Sequence, residues 1–245
     1  MDTSNGNESL IIPYPVRINR YLALTGVSTR RGADDLIVKG LITINGRVAA
    51  LADRVNEGDK VIVRNEIRRK AFRYLAYNKP RGVLTNPEKG HSAKSIADIV
   101  PVSGVFPVGR LDKESEGLII LTDDGRITER LLSPRFRHEK EYEVTIREPI
   151  RTDMITALES GVSLEDGPAR PAKARKTGPR TLSLTITEGR KHQVRRMLAA
   201  VGGTVIALRR VRIMDIRLGS IPRGSYRALR GEELRTFLSA LGLSE

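Results

Sequence analysis

The sequence predicts an α+β protein: a small ααβ domain, then a larger domain whose largely antiparallel mixed sheet is flanked by helices. Three observations predict it. Helical and strand periodicities are interspersed rather than strictly alternating, which argues against a doubly wound parallel sheet. The apolar runs are short and bounded by turn pairs such as Asn45-Gly46, Gly58-Asp59 and Asp124-Gly125. The 245 residues suffice for two modest cores.

In chain order, residues 1–14 are polar, carry no basic region ahead of Leu10-Ile11-Ile12, and read as a disordered tail rather than a signal peptide. Ile18, Tyr21, Leu22 and Leu24 recur at helical spacing up to Gly26. Ser28 caps a second helix with Ala33, Leu36 and Ile37 on its apolar face, closed by Gly40. Short strands follow at Leu41–Ile44, around Val48 and at Val61–Val63, so residues 15–64 make one compact ααβ unit. Residues 65–72 are charged and aperiodic, a linker to a second domain over 73–245. That domain opens with a strand at Tyr74–Tyr77, a turn at Lys79-Pro80-Arg81-Gly82, and a short helix capped by Ser95. The apolar runs Val105–Val108 and Leu118–Leu121 flank a loop of glycine and charge. A helix carrying Ile127, Leu131 and Leu132 comes next, then an alternating strand with Tyr142, Val144 and Ile146. Residues 151–159 form an amphipathic helix, Gly167–Arg180 a basic strand pair or loop, and Leu182, Leu184 and Ile186 a strand. A helix opens at Glu188, with Val194, Met197, Leu198 and Val201 on one arc, and Gly202-Gly203 ends it. Two strands, Val205–Leu208 and Val211–Ile213, and a final helix over 231–242 complete the chain.

Lys and Arg outnumber Asp and Glu by 43 to 29, a formal charge of +14, and an excess of that size suits a polyanion, most simply nucleic acid. The first domain concentrates Arg17, Arg20, Arg30, Arg31, Lys39 and Arg47 on its polar face. A solvated face is the bland reading. Against it, Arg30-Arg31 stands at a helix N-terminus, where the helix dipole disfavours cations, which points to a phosphate partner. There is no cysteine, which removes disulfides and thiolate metal sites. His91, His138 and His192 are far apart, so a histidine metal site is not expected. No apolar run reaches membrane-spanning length, no glycine-rich phosphate loop is present, and no nucleophile elbow appears. The default is a cytoplasmic monomer with no cofactor.

What remains is Asp112, an acid between Arg110 and Lys113 in the loop before Leu118. From the residues alone two readings stand level: an ion pair with Arg110 that locks the turn, or a carboxylate tuned for chemistry by its neighbours.

Residues Arg17–Leu22, Ser28–Asp34 and Gly40–Gly46 resemble the S4 RNA-binding domain, which implies that Arg17, Arg30 and Arg31 bind structured RNA. Gly109-Arg110-Leu111-Asp112 with Ser115–Gly125, Lys79-Pro80-Arg81-Gly82, Lys140-Glu141-Tyr142-Glu143-Val144 and Glu188–Met197 resemble, in order, the motifs of the RsuA/RluB/RluE/RluF group of RNA pseudouridine synthases. Gly104–Val108, His138–Tyr142 and Arg210–Met214 are nearest the RluF type, while Gly189-Arg190-Lys191-His192 departs from it. The resemblance implies isomerisation of a flipped-out uridine in ribosomal RNA, most simply 23S rRNA, without cofactor or metal. It implies Asp112 as the catalytic carboxylate, Tyr142 facing the base, and Arg195 as the arginine beside Asp112, with Arg190 second. Ile186 or Leu184 would wall the base, and Arg110 would shape the loop or touch RNA. Lys79 stands evenly between a substrate contact and a surface lysine before a turn. Two other readings differ in kind: a 16S rRNA or tRNA target, or a non-catalytic S4-type RNA-binding or ribosome-assembly factor.

Overall fold

The computed structural model describes residues 12–25, 27–28, 30–64, 72–87 and 92–243, with the side chain of Arg31 excepted. Most of the expected tail and linker, and Gly26 and His91, lie outside the described residues. The chain divides into two compact units, Met1–Ala71 and Phe72–Glu245.

In the first unit, β1 (Val16–Arg17) leads into α1 (Ile18–Leu24) and α2 (Arg30–Val38). Then come β2 (Ile42–Ile44), β3 (Arg47–Val48), β4 (Arg54–Val55) and β5 (Val61–Val63). Strands β3, β2 and β5 form one antiparallel sheet, and β1 pairs with β4. Asn45 and Gly46 both take positive φ, the geometry that turns β2 tightly into β3. Ile18 and Leu22 of α1 and Ala33 and Ile37 of α2 bury against Ile42, Ile44 and Val55. That leaves Arg17, Arg20, Arg30, Lys39 and Arg47 exposed.

The second unit begins with β6 (Tyr74–Lys79), α3 (Ile96–Ile99), β7 (Phe106–Val108) and β8 (Glu116–Thr122). The Ser95 and Asp98 side chains close a capping box on α3. There follow α4 (Arg126–Leu132), β9 (Lys140–Ile146), α5 (Thr152–Ser160), β10 (Ser163–Leu164) and β11 (Gly167–Pro168). The chain continues through β12 (Lys173–Gly178), β13 (Thr181–Ile186), α6 (Gln193–Ala200) and β14 (Val205–Ile213). It ends with β15 (Ile216–Arg217), β16 (Tyr226–Ala228) and α7 (Gly231–Ala240).

A nine-stranded sheet organises this unit in the order β12-β13-β9-β14-β8-β6-β16, with β15 beside β14 and β7 beside β8. Its pairings are antiparallel except one: β14 and β8 run parallel over two residues, Arg209 against Glu116 and Arg210 against Gly117. The short parallel seam separates two cores. One gathers Val144, Ile146, Leu158, Leu184 and Leu198 from β9, α5, β13 and α6. The other gathers Leu118, Ile120, Ile127, Leu131 and Phe237 from β8, α4 and α7. Ile119 and Leu121 face the opposite side with Ile96 of α3, so β8 is apolar on both faces, as a covered strand must be.

Two expectations change. Val205–Ile213 is one strand, not two. Its arginine run is compatible with a strand because Arg209 pairs across to Glu143 of β9 and Arg212 to Glu141 and Glu139. The helix expected from Glu188 begins only at Gln193, because His192 takes φ +51 and Glu188 turns back to bond the Gln193 side chain. Arg190 and Lys191 therefore sit on a loop, not a helix. Among the described residues no helix is long and apolar enough to cross a membrane.

Candidate active site

Register places a set of side chains along one transverse row of the large sheet. Leu184 of β13 pairs with Tyr142 of β9, Tyr142 with Arg210 of β14, Arg210 with Gly117 of β8, and Gly117 with Lys79 of β6. The next row is Ile186, Lys140 and Ile213. The loop 109–115, which enters β8, lies over these rows. Together they enclose a cavity of about 520 Å³ whose lining includes Asp112, Tyr142, Ile186, Lys140, Arg210 and His192. That volume is within the range of small-molecule sites and fits a single nucleotide.

The loop is held from three sides. Thr85 is buried, and its hydroxyl accepts from Leu111 N at 3.0 Å and donates to Leu111 O at 2.6 Å. Gly82 N donates to Lys113 O at 2.8 Å. Arg195 donates to Glu114 O at 3.0 Å and to Val205 O at 3.4 Å. Within the loop, Ser115 N bonds Asp112 O at 3.0 Å. Asp112 is thus fixed through the backbone on both sides of it while its side chain stays one-third exposed at the cavity mouth. Such prepositioning is what a reacting carboxylate needs.

The side chain that meets the Asp112 carboxylate is His192, whose Nδ1 lies 3.1 Å from Oδ2. His192 is also the N-cap of α6, which places that contact at the start of the helix. Arg195, expected beside Asp112, instead bonds the backbone of the loop that carries it. Arg190 lines the cavity, but its guanidinium is engaged by Gly167 O at 2.9 Å, Pro168 O at 2.6 Å and the Glu188 carboxylate at 3.5 Å. Arg110 is exposed at the cavity rim. Of the two candidate walls, Ile186 lines the cavity and Leu184 is in the core. Arg17 and Arg30 lie on the first unit, and the Arg31 side chain lies outside the described residues.

Lys79 needs correction in both of its readings. It is fully buried and donates to Val83 O at 2.6 Å and Pro80 O at 3.0 Å, so it is neither a surface lysine nor in reach of a substrate. Burial pushes its ammonium down to about 8, partly opposed by Asp112 and Glu114. It stands near the Asp112 loop as a buried, backbone-bonded lysine. Four further residues escape sequence reasoning: Thr85, His192, Lys140 and Arg210. The last two look like surface cations, and only their burial, at 8 % and 4 % exposure, marks them.

A nucleotide-sized cavity lined by buried cations and one prepositioned carboxylate, in a chain of net charge +14, is the kind of site that suits an enzyme acting on a nucleotide of a nucleic acid. Comparison with known proteins narrows this. Residues 73–200 match the RNA pseudouridylate synthase family, and residues 16–61 match the S4 domain. The chain is 35% identical over 223 residues to the dual-specificity RNA pseudouridine synthase RluF of Escherichia coli K12, covering 89% of this chain and 77% of that one. It is 33% identical over 230 residues to the ribosomal large subunit pseudouridine synthase B of Bacillus subtilis 168, covering 89% and 94%. A crystal structure of a pseudouridylate synthase superposes with a TM-score of 0.67 at 30% identity, covering 92% of this chain and 99% of that one. The chain belongs to the RNA pseudouridylate synthase family. It is a pseudouridine synthase, an isomerase.

Proposed function

We propose that this enzyme isomerises one uridine of large-subunit ribosomal RNA, with residues 15–64 gripping RNA and residues 73–245 performing the reaction. The observation that carries the site is the position of Asp112: prepositioned by its backbone, at the mouth of a cavity with Tyr142 in its wall. The relatives named for RluF and for the large ribosomal subunit support the target class. The flipped nucleotide enters with its ribose at Asp112 and its base against Tyr142 and Ile186. The C1′–N1 bond breaks with its electron pair leaving on the base, and the Asp112 carboxylate covers the electron-poor C1′. The base turns, C5 bonds to C1′, C5 gives up its proton, and N1 takes one up. Atoms and charge balance without an oxidant or a second substrate.

Asp112→Ala is expected to abolish pseudouridine formation and leave RNA affinity nearly unchanged. The measurement is pseudouridine mapping across ribosomal and transfer RNA from cells lacking the gene and complemented with either form. Loss of a large-subunit site that wild type restores and the variant does not is the expected outcome. Restoration by the variant removes Asp112 from the chemistry, and a lost site only in tRNA or small-subunit RNA replaces the target.

A further inference from the structure

The cavity floor carries two cations that the reaction at Asp112 leaves without a task. Lys140 and Arg210 are almost wholly buried. Among the described residues, neither is ion-paired with a carboxylate. Lys140 Nζ has one long bond, 3.3 Å to His138 O. Arg210 Nε donates to Leu118 O at 2.7 Å, one residue past the β14–β8 pairing, but its Nη2 is buried with no acceptor. Burial, with Arg210 as a like charge nearby, pushes Lys140 down to about 8. Two buried like charges and an orphan donor are costly in an empty site, and such groups are rarely left without an acceptor.

We propose that Lys140, backed by Arg210, recognises O4 of the flipped uracil, the carbonyl farther from the ribose, and so reads the base as uracil. The choice of base over phosphate follows from depth. Asp112 and His192, at the mouth, keep one-third and nearly half of their side-chain surface, whereas the floor cations keep under a tenth. The ribose must meet Asp112, and the phosphates continue into the RNA strand, so only the base edge reaches the floor. Lysine and arginine donate and never accept. Uracil presents O4 there; cytosine shares O2 but puts an amino group in place of O4, and this floor rejects it. The same donors meet the charge that gathers on the base oxygens when the C1′–N1 pair departs, so the effect belongs in kcat. This reading rests on the placement of the ribose at Asp112.

The test is single-turnover kinetics on a target RNA carrying uridine, 2-thiouridine or 4-thiouridine, since sulfur is a poor acceptor. Lys140→Met is expected to lower kcat by about 10²-fold with KM little changed. The 4-thio substitution slows wild type and adds nothing further in Lys140→Met. Lys140→Arg, which keeps a cation, retains that thio sensitivity and serves if the methionine variant does not fold. Thio penalties that multiply fully with the Lys140 loss overturn the proposal. So does a drop of about one in the slope of log affinity against log salt, the mark of a phosphate contact. Inactive wild type on every RNA defeats the Asp112 reading instead, and is told apart by that control.

Discussion

His192 stands 3.1 Å from Asp112 at φ +51, a conformation that β-carbon sterics disfavour for most residues. The strain is local, and it sets the imidazole over the carboxylate at the start of α6. Backbone and side chain can be separated by substitution. Asparagine tolerates the left-handed region, so His192→Asn is expected to melt near wild type and to lose about tenfold in kcat, of the order a positioned hydrogen bond contributes. Alanine loses the bond and the conformational tolerance together, so His192→Ala is expected to lose about 1 kcal/mol of stability as well. Calorimetry and single-turnover rates on both variants check this, and an asparagine variant with wild-type kcat removes His192 from the site. None of this is visible in the sequence, where His192 is one of three scattered histidines. Asp112 stands out as a lone acid in a glycine-rich basic loop, and Tyr142 only through the resemblance its strand carries; both side chains line one cavity. Lys79, Lys140 and Arg210 do not stand out, because composition predicts exposure for cations and only the fold buries them.

The sheet was legible as antiparallel from its short alternating strands, yet the seam that makes the site is the exception to that pattern. Strands β8 and β14 are about ninety residues apart in sequence, and no local periodicity announces that they meet in parallel. Their closeness depends on Gly117. Its φ is +108, and a β-carbon there would overlap the Arg210 carbonyl oxygen and come within 2.7 Å of the Arg210 nitrogen. Backbone cannot step aside as a flexible side chain can. Gly117→Ala is therefore expected to cost several kcal/mol, by strain and by opening the seam, and to abolish activity with it. Gly189, which lines the cavity, has ordinary φ and open space about its β-position, so Gly189→Ala is expected to fold as wild type. Urea denaturation of the pair decides the matter: equal midpoints would mean that the close strand approach is not what Gly117 is needed for.

The formal charge of +14 belongs to a molecule in two compact units, and the cores divide in the same way. The first unit's core runs from Val16 to Val55, and the buried clusters of the second draw only on residues from Tyr74 onward. Among the described residues, the cavity, likewise, is lined by residues from Val108 to Ile213. A fragment of residues 72–245 is therefore expected to fold alone and keep its chemistry, because nothing that shapes the cavity is removed. What it loses is affinity. Arg17, Arg20, Arg30, Lys39 and Arg47 are exposed on the first unit, and each phosphate they neutralise adds about 0.7 to 0.9 to the slope of log affinity against log salt. The fragment should show a raised KM, a near-wild-type kcat at saturating RNA and a shallower salt slope by several units. Circular dichroism melts, kinetics and binding across a salt series measure all three. A fragment that melts cooperatively but has lost kcat would mean that the first unit helps to build the catalytic conformation, and a fragment with an unchanged salt slope would move the RNA grip onto the second unit.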